Sequence, residues 1–258
     1  MNPVNQGPSQ NHNRQRNRRF GSGEKLRWRS PSRLGLRKFA VAGLLAFFGA
    51  AAALATESNQ TLQAWFSAQT NIHTWSADVT QTRTLKTLTQ PLTATGHVWF
   101  AAPNRFRWEI GNPPQTIALR QADQLLVIYP RFKRVERYPL MGDQTGPWKD
   151  TLALLEAGFP SSQAELESRF RIVSQSGSND LYEITLQPRS AAARRMMPEM
   201  KIAFSPSSFV LRSTELQFAD GSRMRNDFTN PVLNPKLDEN LFAPKLESDY
   251  EVTEPLKR

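Results

Sequence analysis

The sequence predicts a mainly β protein with helices (α+β): one curved antiparallel sheet of about eleven strands, with helices over its concave side. Three observations lead there. Short runs with an apolar residue at every second position recur from Trp75 onward, which is the period of a half-buried strand. The links between them are brief and rich in turn residues, which joins neighbours antiparallel. A sheet that long must curl or close, and helical segments set between two groups of strands commonly cover its concave side.

The chain opens with a basic stretch, residues 1–38, rich in Asn, Gln, Ser and Pro and without aliphatic periodicity; such a composition builds no core. Phe39 to Ala55 then reads FAVAGLLAFFGAAAALA, 17 apolar or small residues that follow Arg37 and Lys38 and end in Ala53-Leu54-Ala55. Basic flank, apolar run and small-x-small end are the parts of an export signal. As a helix the run rises about 25 Å, short of the roughly 30 Å hydrocarbon core. This favours a leader over residues 1–55, cleaved after Ala55, followed by a single domain over 56–258. The alternative is an uncleaved anchor whose Arg-rich tail stays in the cytoplasm.

Ser58 to Gln69 places Leu62, Trp65 and Phe66 at i, i+3 and i+4 behind a Ser cap, an amphipathic helix. Six strands follow: Trp75–Arg83, Leu92–Phe100, Arg105–Ile110, Gln115–Gln121, Gln124–Tyr129 and Phe132–Tyr138. Pro103-Asn104, Asn112-Pro113-Pro114 and Ala122-Asp123 supply turns between them. Pro147 to Ala157 reads as a second helix, stopped by Gly158 and Pro160. Ser162 and Glu165 have capping-box spacing and start a short third helix. Five more strands are expected at Phe170–Ser174, Leu181–Leu186, Met200–Phe204, Val210–Phe218 and Ser222–Phe228. The last two are joined through Asp220-Gly221, a two-residue hairpin signal. Arg189 to Met197 reads as a long irregular loop.

The formal charge of +10 suggests a nucleic-acid partner until it is divided. Residues 1–55 hold ten Lys/Arg and one acid, whereas residues 56–258 hold 23 Lys/Arg and 22 acids. A domain so close to neutrality lacks the basic footprint of a nucleic-acid binder. The absence of Cys rules out disulfides, thiolate metal sites, cysteine nucleophiles and a lipidated cysteine. Beyond residue 55 only His73 and His97 remain, and His97 is expected to be a solvent-side or hydrogen-bonded strand residue. The phosphate-binding glycine motifs, GxSxG and HExxH do not occur. The acid pairs Glu165/Glu167, Asp238/Glu239 and Asp249/Glu251 fall on surface turns and ends. No enzyme, metal or cofactor is expected.

The domain has aromatic mass on period-two strands instead. In Arg105–Ile110, Phe106, Trp108 and Ile110 share one face while Arg105, Arg107 and Glu109 share the other. On the preceding strand Val98 and Phe100 face opposite to Trp99. Two readings of the apolar face compete: an ordinary core, or a sheet interior partly emptied for an apolar ligand.

The segment Gly96 to Glu109, GHVWFAAPNRFRWE, resembles the G-x-(apolar)-x-(apolar)-x-x-P-x-x-F-x-W pattern of the periplasmic outer-membrane lipoprotein carriers of the LolA family. Ala77-Asp78-Val79-Thr80-Gln81 is similar to the family's first strand. Pro114-Gln115-Thr116-Ile117, Asp123 and Leu126 to Pro130 are similar to its next hairpin, and Asn234 through Phe242 to Pro244 to its closing turn. The likeness covers residues 58–253.

The resemblance implies that the curved sheet forms a half-open barrel covered by lid helices, and that the protein is a monomeric, cofactor-free periplasmic carrier. Its apolar cavity takes acyl chains of lipoproteins from an inner-membrane ABC lipoprotein-releasing complex and hands them to an outer-membrane acceptor lipoprotein. Phe106, Trp108, Val98, Phe100 and Ile110 become the cavity lining. Family members have an Arg just before the pattern's Pro, a latch for the lid; here that residue is Ala102, so Arg105 and Arg107 become the candidate latches. Two alternatives stay open: a carrier of another lipid or glycolipid, and an envelope sensor or inner-membrane-anchored adaptor that binds a protein's apolar segment with the same fold.

Overall fold

Twelve strands form one open sheet in the computed structural model, in the order β12-β6-β5-β4-β3-β2-β1-β11-β10-β9-β8-β7. The residues described are 59–140, 159–160, 162–244 and 246–255, all within the unit Gly49–Arg258. The strands are β1 Thr74–Thr84, β2 Leu92–Ala101, β3 Arg105–Ile110, β4 Thr116–Arg120, β5 Gln124–Tyr129 and β6 Arg134–Pro139. After these come β7 Phe170–Gly177, β8 Tyr182–Pro188, β9 Glu199–Phe204, β10 Leu211–Gln217, β11 Arg223–Leu233 and β12 Glu251–Thr253. Every pairing is antiparallel except β12 on β6. The first six strands form one meander and β7–β11 a second, and the sheet is made continuous where β11 pairs with β1.

Helix α1, residues 59–69, lies against one face with Leu62, Trp65, Phe66 and Gln69 buried. Trp65 stacks on Phe204 of β9 with ring centroids 4.8 Å apart. Helix α2, Gln163–Arg169, starts as its spacing predicts, with Ser162 Oγ accepting from the Glu165 amide at 3.1 Å. The expected cap at Ser58 and the expected helix at 147–157 lie outside the described residues, as does the leader, residues 1–55.

Five expectations need correction. The chain adds a twelfth strand, the three residues of β12, in parallel pairing with β6. The stretch Arg189–Met197 is not all loop, since α3 covers Ala191–Met196 and Ser190 accepts from the Ala193 amide at its start. Phe132 belongs to a 3-10 turn, Pro130–Phe132, and not to β6.

Strand β11 continues past Phe228 to Leu233. Its register against β1 slips between Ser76 and Asp78, with Asn230 at φ 50°. Pro231 offers no N–H to the ladder, and this irregularity accommodates it. The β10–β11 connection is a three-residue loop in which the Phe218 amide donates to Ser222 O and Gly221 takes φ +87°. That left-handed glycine ends a three-residue hairpin loop, one residue longer than the two-residue turn the Asp-Gly pair predicts.

Each face of the β1–β6 half carries its own apolar cluster. On the inner face α1, β1–β3, β5 and β7–β11 contribute to one core that includes Trp75, Val98, Phe100 and Phe106. On the outer face Leu119, Leu126, Ile128 and Val135 pack against Phe242 and its neighbours from the C-terminal segment.

Candidate functional site

Strand β3 divides its side chains as its alternation requires. Phe106 is 3% exposed in the inner core, and Trp108 and Ile110 pack beside it half-buried. Val98 and Phe100 are the direct β2 partners of Trp108 and Phe106. All five expected lining residues therefore share one face and one apolar cluster. Trp99 points the other way, toward the outer cluster.

The inner surface is laid out in cross-strand rows. Trp108 pairs with Ala118 of β4, which pairs with Val127 of β5. At the β1–β2 end the row is sealed, with Ala77 at 0% and Val98 at 1% exposure. Phe100 stacks on Phe159 at 4.5 Å, and Phe159 tilts against Trp75 at 4.9 Å. Toward β5 the cover thins, and Trp108, Ile110, Ala118 and Val127 remain half-buried. Trp108 meets Phe228 of β11 edge-on at 5.8 Å.

The outer face is a different environment. Arg105 forms an ion pair with Glu239 and lies over the Phe242 ring at 4.9 Å. This pairing raises the Arg105 pKa and holds the Glu239 carboxyl below its ordinary range, the Arg105 hydrogen bond leading. Arg107 pairs with Glu109 at 2.6 Å and donates to Leu241 O at 3.1 Å. Both arginines thus grip the 3-10 turn Glu239–Phe242, on the face opposite the five apolar residues. A cavity of about 240 Å³ lies here, lined by Arg107, Glu109, Ile117, Ile128, Leu241 and Tyr250 among others.

Asn234 fixes the path of this C-terminal segment. At φ 53° its side-chain oxygen accepts from the amides of His73 at 2.8 Å and Thr74 at 3.2 Å, and its Nδ2 donates to Asn71 O. One side chain thereby ties the end of β11 to the entry of β1.

His97 is a hydrogen-bonded strand residue, its Nδ1 2.8 Å from Asp78 Oδ1 and its ring 4.3 Å from that of Trp99. Hydrogen bonds from Asn230 and then His97 hold the Asp78 carboxyl below the usual aspartate range. Among the described residues no three His, Asp or Glu side chains gather as a metal set. Nor is any described helix long and apolar enough to cross a membrane.

Sequence reasoning missed the lining that β4, β5 and β6 supply. The run Leu125–Tyr129 is apolar without alternation, because the C-terminal segment covers its outer side while the inner core takes the other. The available signal was the register of the β3–β4–β5 meander, which carries the parity of Trp108 across to Ala118 and Val127.

Comparison with known proteins agrees with this architecture. An outer-membrane lipoprotein carrier protein of Chromohalobacter salexigens is 25% identical over 150 residues, 58% of this chain. The match spans 66% of that protein, just short of two thirds of its length. Among solved structures, an outer membrane lipoprotein-sorting protein domain from Vibrio parahaemolyticus shares 13% identity at TM-score 0.41, covering 73% of this chain and 97% of that one. A LolA superfamily protein from Nitrosomonas europaea shares 10% identity at TM-score 0.37, covering 70% and 97%. The family model for the outer membrane lipoprotein carrier protein LolA matches residues 70–245, from the end of α1 through the segment that Arg105 and Arg107 hold. The chain belongs to the LolA family.

Proposed function

We propose that this chain is a periplasmic carrier, not an enzyme, that shields the acyl chains of lipoproteins on the inner face of its sheet during transfer toward the outer membrane. The observation that supports this most is the uneven cover of that face. Ala77, Val79 and Val98 are at most 1% exposed, yet their neighbours Trp108, Ile110, Ala118 and Val127 stay half-buried. A contiguous apolar surface left partly open is a place for an apolar ligand. Burying about ten methylenes there contributes about 8 kcal/mol, from which the cost of ordering and association is subtracted.

In this reading residues 1–55 direct export and residues 56–258 carry the cargo as a monomer without a cofactor. An inner-membrane ABC lipoprotein-releasing complex loads it and an outer-membrane acceptor lipoprotein unloads it. Arg105 and Arg107, expected as latches for the lid, contact the C-terminal segment on the outer face, where they hold that segment in place.

The test is native mass spectrometry of the protein recovered from the envelope of cells expressing the full chain. The expected result is an adduct with acyl chains that is lost in Trp108→Glu and kept in Arg131→Glu, a change on the exposed 3-10 turn. A clean apo mass that persists when acylated peptide is offered contradicts the carrier reading.

A further inference from the structure

The inner face meets charge at two strands: at β4, where Arg120 is buried between Phe106 and Leu125, and at β6. The row that begins Ala77, Val98, Trp108, Ala118, Val127 ends on Glu136 of β6, each residue the direct cross-strand partner of the next. The neighbouring row ends on Tyr138. Strand β6 thus turns Glu136 and Tyr138 inward, at positions where a core strand carries aliphatic residues.

These groups form one cluster. Glu136 Oε2 accepts from the Tyr138 hydroxyl at 3.0 Å and the Tyr129 hydroxyl at 3.4 Å, and Oε1 pairs with Arg134 at 3.1 Å. Arg134 also lies over the Tyr129 ring at 4.7 Å. Burial and then the Glu136 carboxylate push the Tyr138 hydroxyl up to about 12, so it stays protonated and donating.

The cluster retains capacity for a ligand. A carboxylate offers about four acceptor positions, and the three interactions above leave Glu136 with one. Arg134 pairs with Glu136 and hydrogen-bonds Tyr129, and its side chain is 46% exposed against 20% for Glu136. Its formal charges cancel, so the cluster has hydrogen-bonding groups of both kinds without a net charge.

We infer that Arg134, Glu136, Tyr129 and Tyr138 form a polar subsite that receives the ester and amide junction of an acylated peptide whose chain lies along the half-buried row Trp108, Ala118, Val127. This rests on the carrier reading above. The dimensions fit: the part of the row left open, from Trp108 of β3 to Glu136 of β6, covers three spacings, about 14 Å at about 4.8 Å each. One membrane acyl chain, half of a roughly 30 Å hydrocarbon core, extends about 15 Å. A chain laid across the strands brings its polar end to β6. There Arg134 donates to a carbonyl and Glu136 accepts from an amide N–H. A free fatty acid offers acceptors alone: its carboxylate can pair with Arg134 but has no N–H for Glu136, which repels it at such range.

The test uses the protein recovered from cells expressing the full chain, with three probes: a neutral apolar fluorescent dye, a synthetic triacylated cysteinyl peptide and palmitate. Wild type is expected to bind the dye and to release it to the lipopeptide at a concentration at least tenfold below that needed with palmitate. Glu136→Gln leaves dye affinity within about twofold and cuts the lipopeptide-to-palmitate preference about tenfold. Tyr138→Phe, which removes a single hydroxyl, weakens the lipopeptide about threefold with the dye unchanged. If both variants keep the wild-type preference, or if all three probes weaken together, the cluster serves only the fold and the inference is overturned. If wild type takes up neither dye nor lipopeptide, the carrier reading itself fails and the subsite falls with it.

Discussion

Gly96 shows how a single residue in the GHVWF stretch is dictated by geometry. A Cβ placed there would sit 1.9 Å from the backbone oxygen of Glu109, across the β2–β3 pair. No rotation of a side chain relieves that contact, because both sides of it are main chain. Gly96→Ala is therefore expected to destabilise the protein by about 3 kcal/mol, seen in thermal denaturation as a fall in Tm of roughly 6 °C or more. An unchanged Tm would mean that β3 is free to move away from β2. Polar residues were harder to read at this scale. Glu136 and Arg134 look like solvated charges in sequence, and only the register places Glu136 at the end of an apolar row.

Elements were legible where one face is wet and the other dry. The alternation in Arg105–Ile110 gives β3 its observed limits and its two faces, because inner core and outer arginines differ in polarity. Legibility fails where a tertiary partner supplies what local chemistry does not. The three residues of β12 have no periodicity to detect and exist through pairing with β6, more than 100 positions earlier in the chain. Helix α3 is six residues long with only Ala193 buried, so no apolar stripe announces it.

The C-terminal segment is likewise held by a few distant anchors, and these can be ranked. Phe242 is 4% exposed and fills the outer cluster, so Phe242→Ala is expected to cost about 3 to 5 kcal/mol. Arg105→Ala removes an ion pair whose Glu239 side chain is 77% exposed, and is expected to cost under about 1 kcal/mol. Urea unfolding of both variants checks the order. Equal losses would mean that the ion pair holds the segment as firmly as the buried ring does.

At the scale of the molecule, an open twelve-stranded sheet has two faces with separate duties. The outer face is closed by the chain's own C-terminal segment through Phe242, Arg105 and Arg107. The inner face is sealed at β1 and β2, and toward β5 the row Trp108, Ala118, Val127 is only half covered, which is the asymmetry that a carrier of apolar cargo needs. Sequence could place the apolar face but not its degree of cover, since cover depends on how far α1 and Phe159 reach across strands distant in the chain.

The measurement that tests this division most directly is photocrosslinking in cells from two adjacent positions of β3. A photoreactive amino acid at Trp108 faces inward, and the same group at Arg107 faces the C-terminal segment. The account predicts that position 108 captures acylated lipoprotein and position 107 does not. Capture from position 107 alone, or equal capture from both, would contradict it.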